Sequence, residues 1–163
     1  KGDGAKTKKL VPPSPSLSLA PGKTFSLPKD VVKNLTRELD AVPWPAQSRK
    51  MIKGYGTCVG ATYDFEGPRL GSWTGKAEPA IRALNKALAE MTQGLDFRWG
   101  SLQINKNSVS AEHCDKNNVG LSIVLLLGSF SGGAFSMSDG TCRVEQPGSA
   151  VVIDGSASTC CNR

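Results

Sequence analysis

The sequence predicts an α+β fold in which one or two helices precede a meander of short antiparallel strands, the strands forming a sandwich or jelly roll. Three observations lead there. Eighteen Gly and ten Pro in 163 residues favour strands joined by turns over a bundle of helices. Apolar residues recur at helical spacing in two segments, both before Gly94. After Gly94 the rhythm changes to runs of strand length separated by turn signals.

Residues 1–30 read as a basic, proline-rich, flexible arm. Six lysines (Lys1, Lys6, Lys8, Lys9, Lys23, Lys29) face Asp3 and Asp30, so this stretch supplies +4 of the net +6. Val11-Pro12-Pro13-Ser14-Pro15 leans toward extended polyproline geometry. Such an arm suits an acidic partner, anionic lipid or nucleic acid. The remaining +2 is spread over 133 residues with no Arg/Lys stripe interleaved with aromatics, so nucleic-acid binding is not expected. Residues 31–163 make one domain.

A helix is predicted from Lys29 to Asp40, with Val31, Val32, Leu35 and Leu39 on one face. Pro43 and Pro45, around Trp44, end it. Tyr55 to Tyr63 reads as a strand, and a Gly/Pro-rich loop runs on through Gly75. The clearest helix spans Pro79 to Met91: Ile81, Leu84, Leu88 and Met91 share a face, and Gly94 is its stop signal. That face is a core-packing face. Six strand-like runs follow: Phe97–Asn105, Ser108–Glu112, Leu121–Leu127, Ala134–Met137, Thr141–Val144 and Ser149–Ile153. Asn117-Asn118, Gly132-Gly133, Asp139-Gly140 and Pro147-Gly148 separate them. The longest apolar stretch, Leu121–Leu127, falls well short of the roughly 18 residues that cross a bilayer, so no transmembrane segment is expected.

The cysteines, Cys58, Cys114, Cys142, Cys160 and Cys161, number five. They show no C-x-x-C spacing, so a zinc site is poorly supported. An odd count forbids complete internal pairing; reduced thiols are the default, and one disulfide stays open.

Chemistry concentrates in residues 105–118. His113 is the chain's single histidine and stands two residues before Asp115. Residues two apart on a strand lie on one face, so both can address one metal ion. An imidazole, a carboxylate and a second imidazole on one face of an octahedron form the site of non-haem iron(II) oxygenases. Alone, H-x-D is a weak signal. Other chemistries fare worse. Cys114 alternates away from His113 on a strand, Gly128–Gly133 lacks the Gly-Lys-Ser/Thr of a phosphate loop, and Asp64, Glu66 and Glu78 form no carboxylate pair. The sequon Asn34-Leu35-Thr36 is discounted.

The surrounding blocks add to the signal. Trp99–Asn107, His113–Ser122 and Leu127–Phe135 resemble, in order, the "N-x-N … H-x-D-x-x-N-x-G-x-S … G-x-(F/Y)-x-G-G" run of prolyl-hydroxylase-like iron(II)/2-oxoglutarate oxygenases. Gln146–Gly155 resembles the strand leading to that family's second iron-binding histidine. The resemblance covers roughly residues 50–155 and implies a double-stranded β-helix, with iron(II) and 2-oxoglutarate as cofactors. It implies that His113 and Asp115 are the first two iron ligands, that Gly132 and Gly133 supply positive φ in a hairpin turn, and that Asn105 has a structural role.

It then breaks. The family's second histidine is expected near Thr159, and the arginine that grips 2-oxoglutarate about ten residues further on. Asp154-Gly155 is followed instead by Ser156–Arg163, and Arg163 comes too early. A thiolate of Cys160 or Cys161 would make a different, softer site. Two readings follow. The first is a truncated, non-catalytic oxygenase-like domain that binds neither cofactor and serves a larger assembly, meeting protein partners through the basic arm and exposed strand edges. The second is an iron(II)/2-oxoglutarate-dependent hydroxylase whose last ligands lie outside this chain.

Overall fold

The computed structural model describes residues 19–48, 52–113, 118–138, 140, 142–156 and 160–162. Its first helix, α1 (Lys29–Asp40), follows Pro28 and buries Leu35. Val31 and Leu39 flank that residue on the packed face. The helix stops at Ala41, whose N–H donates to the Arg37 carbonyl, and Pro43 prevents a further turn. The second helix, α2 (Glu78–Met91), has proline in its first turn and buries Ala80, Ile81, Leu84, Ala87 and Leu88. Its last turn is closed by the Thr92 hydroxyl donating to the Leu88 carbonyl at 2.8 Å. No described helix is long and apolar enough to cross a membrane.

The described strands are β1 (Thr24–Ser26), β2 (Ile52–Asp64), β3 (Gly67–Leu70), β4 (Ser101–His113), β5 (Ser122–Leu125), β6 (Phe135–Met137), β7 (Arg143–Val144), β8 (Ser149–Ile153) and β9 (Cys160–Asn162). They form two sheets, ordered β3-β2-β4-β9-β6-β7 and β1-β8-β5. Every pairing between them is antiparallel. Two helices with antiparallel strands in two sheets match the expected class and are compatible with a jelly roll.

Alternation along β4 makes the two-faced sheet. Leu102 and Ile104 pack under the helices with Leu84, Leu88 and Val59, while Ser101, Gln103 and Asn105 lie exposed between them. The smaller sheet covers the other end of the larger one: Val151, Ile153, Val124 and Leu126 meet Phe135, Met137 and Val144. In β8, Ala150 to Ile153 are all buried, so the strand is enclosed on both faces. Burying each such aliphatic side chain contributes about 1.5–3 kcal/mol before entropy is counted.

Several sequence expectations shift. The runs Phe97–Asn105 and Ser108–Glu112 are not two strands: residues 101–113 form the single β4. A bulge opposite Gly54 joins the halves, with Asn107 at φ 50, and residues 97–100 precede the strand. The loop expected through Gly75 contains β3, which holds Pro68 at a sheet edge, where a missing N–H costs no ladder bond. Thr24–Ser26, placed in the arm by composition, pairs with β8.

One ion pair ties the end of α1 to the sheet: Lys106 Nζ lies 2.7 Å from Asp40 Oδ1. Both side chains are a third or more exposed, so solvent screens the attraction. The Asp40 carboxylate also sits at the unfavourable end of the helix dipole. Asp40→Asn should therefore change the unfolding free energy by less than about 1 kcal/mol, as read in urea titrations at low and high salt.

Candidate functional site

His113 is the last residue of β4, and in the register its backbone faces Cys160, the first residue of β9. Asp115, its expected partner ligand, lies outside the described residues, as do Thr159 and Arg163. Among the described residues, no group of three His, Cys, Asp or Glu side chains gathers where it would hold a metal ion. The whole chain has one histidine, so two imidazoles and a carboxylate cannot be assembled from these 163 residues. The donor set does not fit the iron site that the sequence resemblance implies.

Other positions singled out by the sequence fall among the described residues. Asn105 faces Gly56 across the β2–β4 ladder. Its Oδ1 accepts from Gln47 Nε2 at 2.9 Å and from Gln103 Nε2 at 3.2 Å. Gln47 belongs to the segment that bridges β2 through Ala46 and Tyr55, so the Asn105 amide pins that segment to β4. Gly132 and Gly133 have φ 74° and 70°, the positive values expected of them. After β8, Asp154 Oδ1 accepts from the Ser156 N–H at 3.1 Å and its hydroxyl at 2.7 Å, a turn closed by the aspartate itself.

Sequence reasoning did not find an open cleft of about 360 Å³ lined by Leu19, Asp96, Phe97, Arg98, Val119 and Leu121. Its lining comes from three separate stretches, with no shared periodicity to give it away. Nor did sequence show the exposed apolar tip of the β2–β3 hairpin, where Tyr63, Phe65 and Leu70 stand in solvent.

No protein-family model matches the sequence, and no curated protein matches it. Among solved structures, NgTET1 in complex with 5mC DNA is similar, with a TM-score of 0.53 at 16% identity over 83% of this chain. The likeness is one of fold. It supports a distant 2-oxoglutarate oxygenase-like architecture, reached from coordinates as well as from sequence blocks. The chain spans 63% of the length of that structure.

Proposed function

We propose that this chain is a non-catalytic oxygenase-like domain, its strands arranged as a double-stranded β-helix, serving as a structural or interaction subunit of a larger assembly. The observation that carries the reading is the single histidine set at the end of β4 in an oxygenase-like fold. An iron(II) ion held by one imidazole and one carboxylate lacks the third protein ligand of the facial triad. Of residues 1–30, the part ahead of β1 acts as a basic arm, since Thr24–Ser26 pairs with β8 and belongs to the domain with residues 31–163. Exposed strand edges support the interaction role: β3 is the outer strand of the larger sheet and carries exposed Leu70 beside Tyr63 and Phe65 of the same hairpin. An uncovered edge with apolar side chains is a surface for another polypeptide. DNA, which the similar structure holds, is not assigned to this chain, because the charge outside residues 1–30 is only +2.

A second reading is favoured by one observation, the 63% span of the similar structure. In it the chain is part of a hydroxylase whose second histidine and 2-oxoglutarate arginine lie elsewhere.

Anaerobic iron(II) titration of the purified chain, with and without 2-oxoglutarate, separates the two. The expected result is no binding that depends on His113 and Asp115 and tightens with 2-oxoglutarate, in wild type compared with His113→Ala and Asp115→Ala. Micromolar, His113-dependent binding that 2-oxoglutarate strengthens would overturn the non-catalytic reading.

A further inference from the structure

We propose that this chain forms a two-fold dimer by pairing the free edge of β3 with β3 of a second copy, with Leu70 on the axis. The β2–β3 hairpin carries the observations. Its strands pair with Ala61 opposite Leu70 and Tyr63 opposite Pro68, so these residues share one face. Along β2 that face continues from Val59, which is fully buried with Trp44 and Ile81, because side chains two apart lie on the same side. Beyond Val59 the cover ends: Tyr63 is 81% exposed, Leu70 is 72% exposed, and Phe65 at the turn stands wholly in solvent. An apolar core face thus runs out into water at the outer strand of the larger sheet.

The edge is open in its backbone as well. The Gly71 N–H donates to the Gly60 carbonyl at 2.8 Å, and the Thr62 hydroxyl donates to the Arg69 carbonyl at 3.3 Å. Arg69 and Gly71 therefore turn their backbone polar groups toward β2. By alternation Pro68 and Leu70 turn theirs away from it. Among the described residues, no hydrogen bond from outside the hairpin reaches Leu70. Such a row is a template for another strand.

The residues of the edge select the register. An axis at Pro68 would oppose two residues that lack an N–H, and no bond would form. An axis at Arg69 would set two guanidinium side chains directly opposite, where like charges repel. With the axis at Leu70, each Leu70 N–H donates to the carbonyl of the other, and the two leucines lie side by side in one apolar strip with Tyr63 of both copies. A second copy supplies the matching edge by symmetry, and closure by a two-fold leaves no edge for a third, so the product is a dimer and not a fibre. The area is sufficient. Aromatic side chains carry roughly 150–250 Å² each, so Tyr63, Phe65 and Leu70 of two copies bring on the order of 1,000 Å² to the contact, about where specific interfaces begin. The inference rests on the interaction role proposed above and names its partner.

Sedimentation equilibrium of the whole chain, from micromolar to millimolar concentration, should show monomer and dimer in equilibrium. Leu70→Lys should raise the dissociation constant at least about tenfold, by opposing like charges on the axis. Leu70→Pro should do the same by removing the outward N–H. Val109→Lys, at an exposed site on β4, should leave association unchanged. Circular dichroism confirms that each variant folds. Register is read by cross-linking. A hydrogen-bonded antiparallel pair sets its Cα atoms about 5.5 Å apart, within disulfide reach, so Leu70→Cys should form a covalent dimer under mild oxidation. Pro68→Cys should not, since its counterpart lies on the order of 14 Å away. Wild type oxidised alongside supplies the background of the native cysteines. A chain that stays monomeric throughout, a dimer that folded Leu70→Lys leaves intact, or equal cross-linking at positions 68 and 70 would overturn the proposal. The iron(II) titration does not depend on association, so the two readings fail separately.

Discussion

Trp44→Ala is expected to cost about 3–5 kcal/mol of folding stability, the largest loss of any single truncation in this domain. Trp44 is only 6% exposed and is held between Pro43 and Pro45, which limit how far the chain can settle into a cavity. It packs with Val59, Ala77 and Ile81 where the end of α1, the start of α2 and β2 meet. Its ring lies 6.2 Å from that of Trp73, and its Nε1–H donates to the Leu39 carbonyl at 2.8 Å. That carbonyl belongs to the last turn of α1, where it also accepts from the Val42 N–H at 3.3 Å. Removing the indole therefore opens a void and takes one of two donors from the Leu39 carbonyl at the helix end. Trp44→Phe keeps most of the ring and loses the hydrogen bond, for an expected cost of about 1–2 kcal/mol. Urea unfolding of both variants checks this: the midpoints should fall in that order with the slopes unchanged.

Gly56→Ala should be nearly as damaging, at about 3 kcal/mol or more, although it adds a single methyl. Gly56 has φ 139°, and a Cβ built on it would lie 2.0 Å from the carbonyl oxygen of Ile104. The obstacle is backbone in the middle of the β2–β4 ladder, and backbone there cannot swing aside. Gly56 is held from the other side as well, its N–H donating to the Pro45 carbonyl at 2.7 Å. Relief would require the two longest strands to part, breaking the register that carries His113. Gly67→Ala is the control. Its φ is 110°, equally foreign to alanine, but nothing lies within 4 Å of the added carbon, so only conformational strain of about 1–2 kcal/mol remains. Thermal unfolding should separate the pair, with the Gly56 variant melting at least several degrees below the Gly67 variant.

Legibility followed the range of the interactions that decide each element. The α1 helix forms over the predicted Lys29–Asp40, and α2 begins one residue early, because apolar spacing and proline stops act within a few residues. β8 matches its predicted span, Ser149–Ile153, because a strand buried on both faces announces itself as an unbroken apolar run. β1 and β9 were not legible. Thr24–Ser26 and Cys160–Asn162 have no alternation long enough to read, and partners from distant parts of the chain make them strands. Asn107 looked like a break between two strands, but the bulge opposite Gly54 absorbs it. At the candidate site, His113 stood out as the single histidine, and residue spacing suggested Asp115 as its companion. The pairing of His113 with Cys160 depends on β9 finding its place between β4 and β6, which no local pattern encodes.

The central position of β8 in the smaller sheet bears on how the protein is made. A ribosome delivers β1 first and β5 roughly a hundred residues later, and both hydrogen-bond to a strand that follows them. Closing so long a loop onto β8 carries an entropic cost that local contacts do not offset. Until residue 149 has left the exit tunnel, the two flanking strands have edges and no neighbour, the state in which nascent chains pair wrongly or recruit chaperones. The helices can dock on β2 and β4 well before then, so the two halves of the fold are separated in time as well as in space. A chain stalled before β8 would have the walls of its smaller sheet and nothing to set between them.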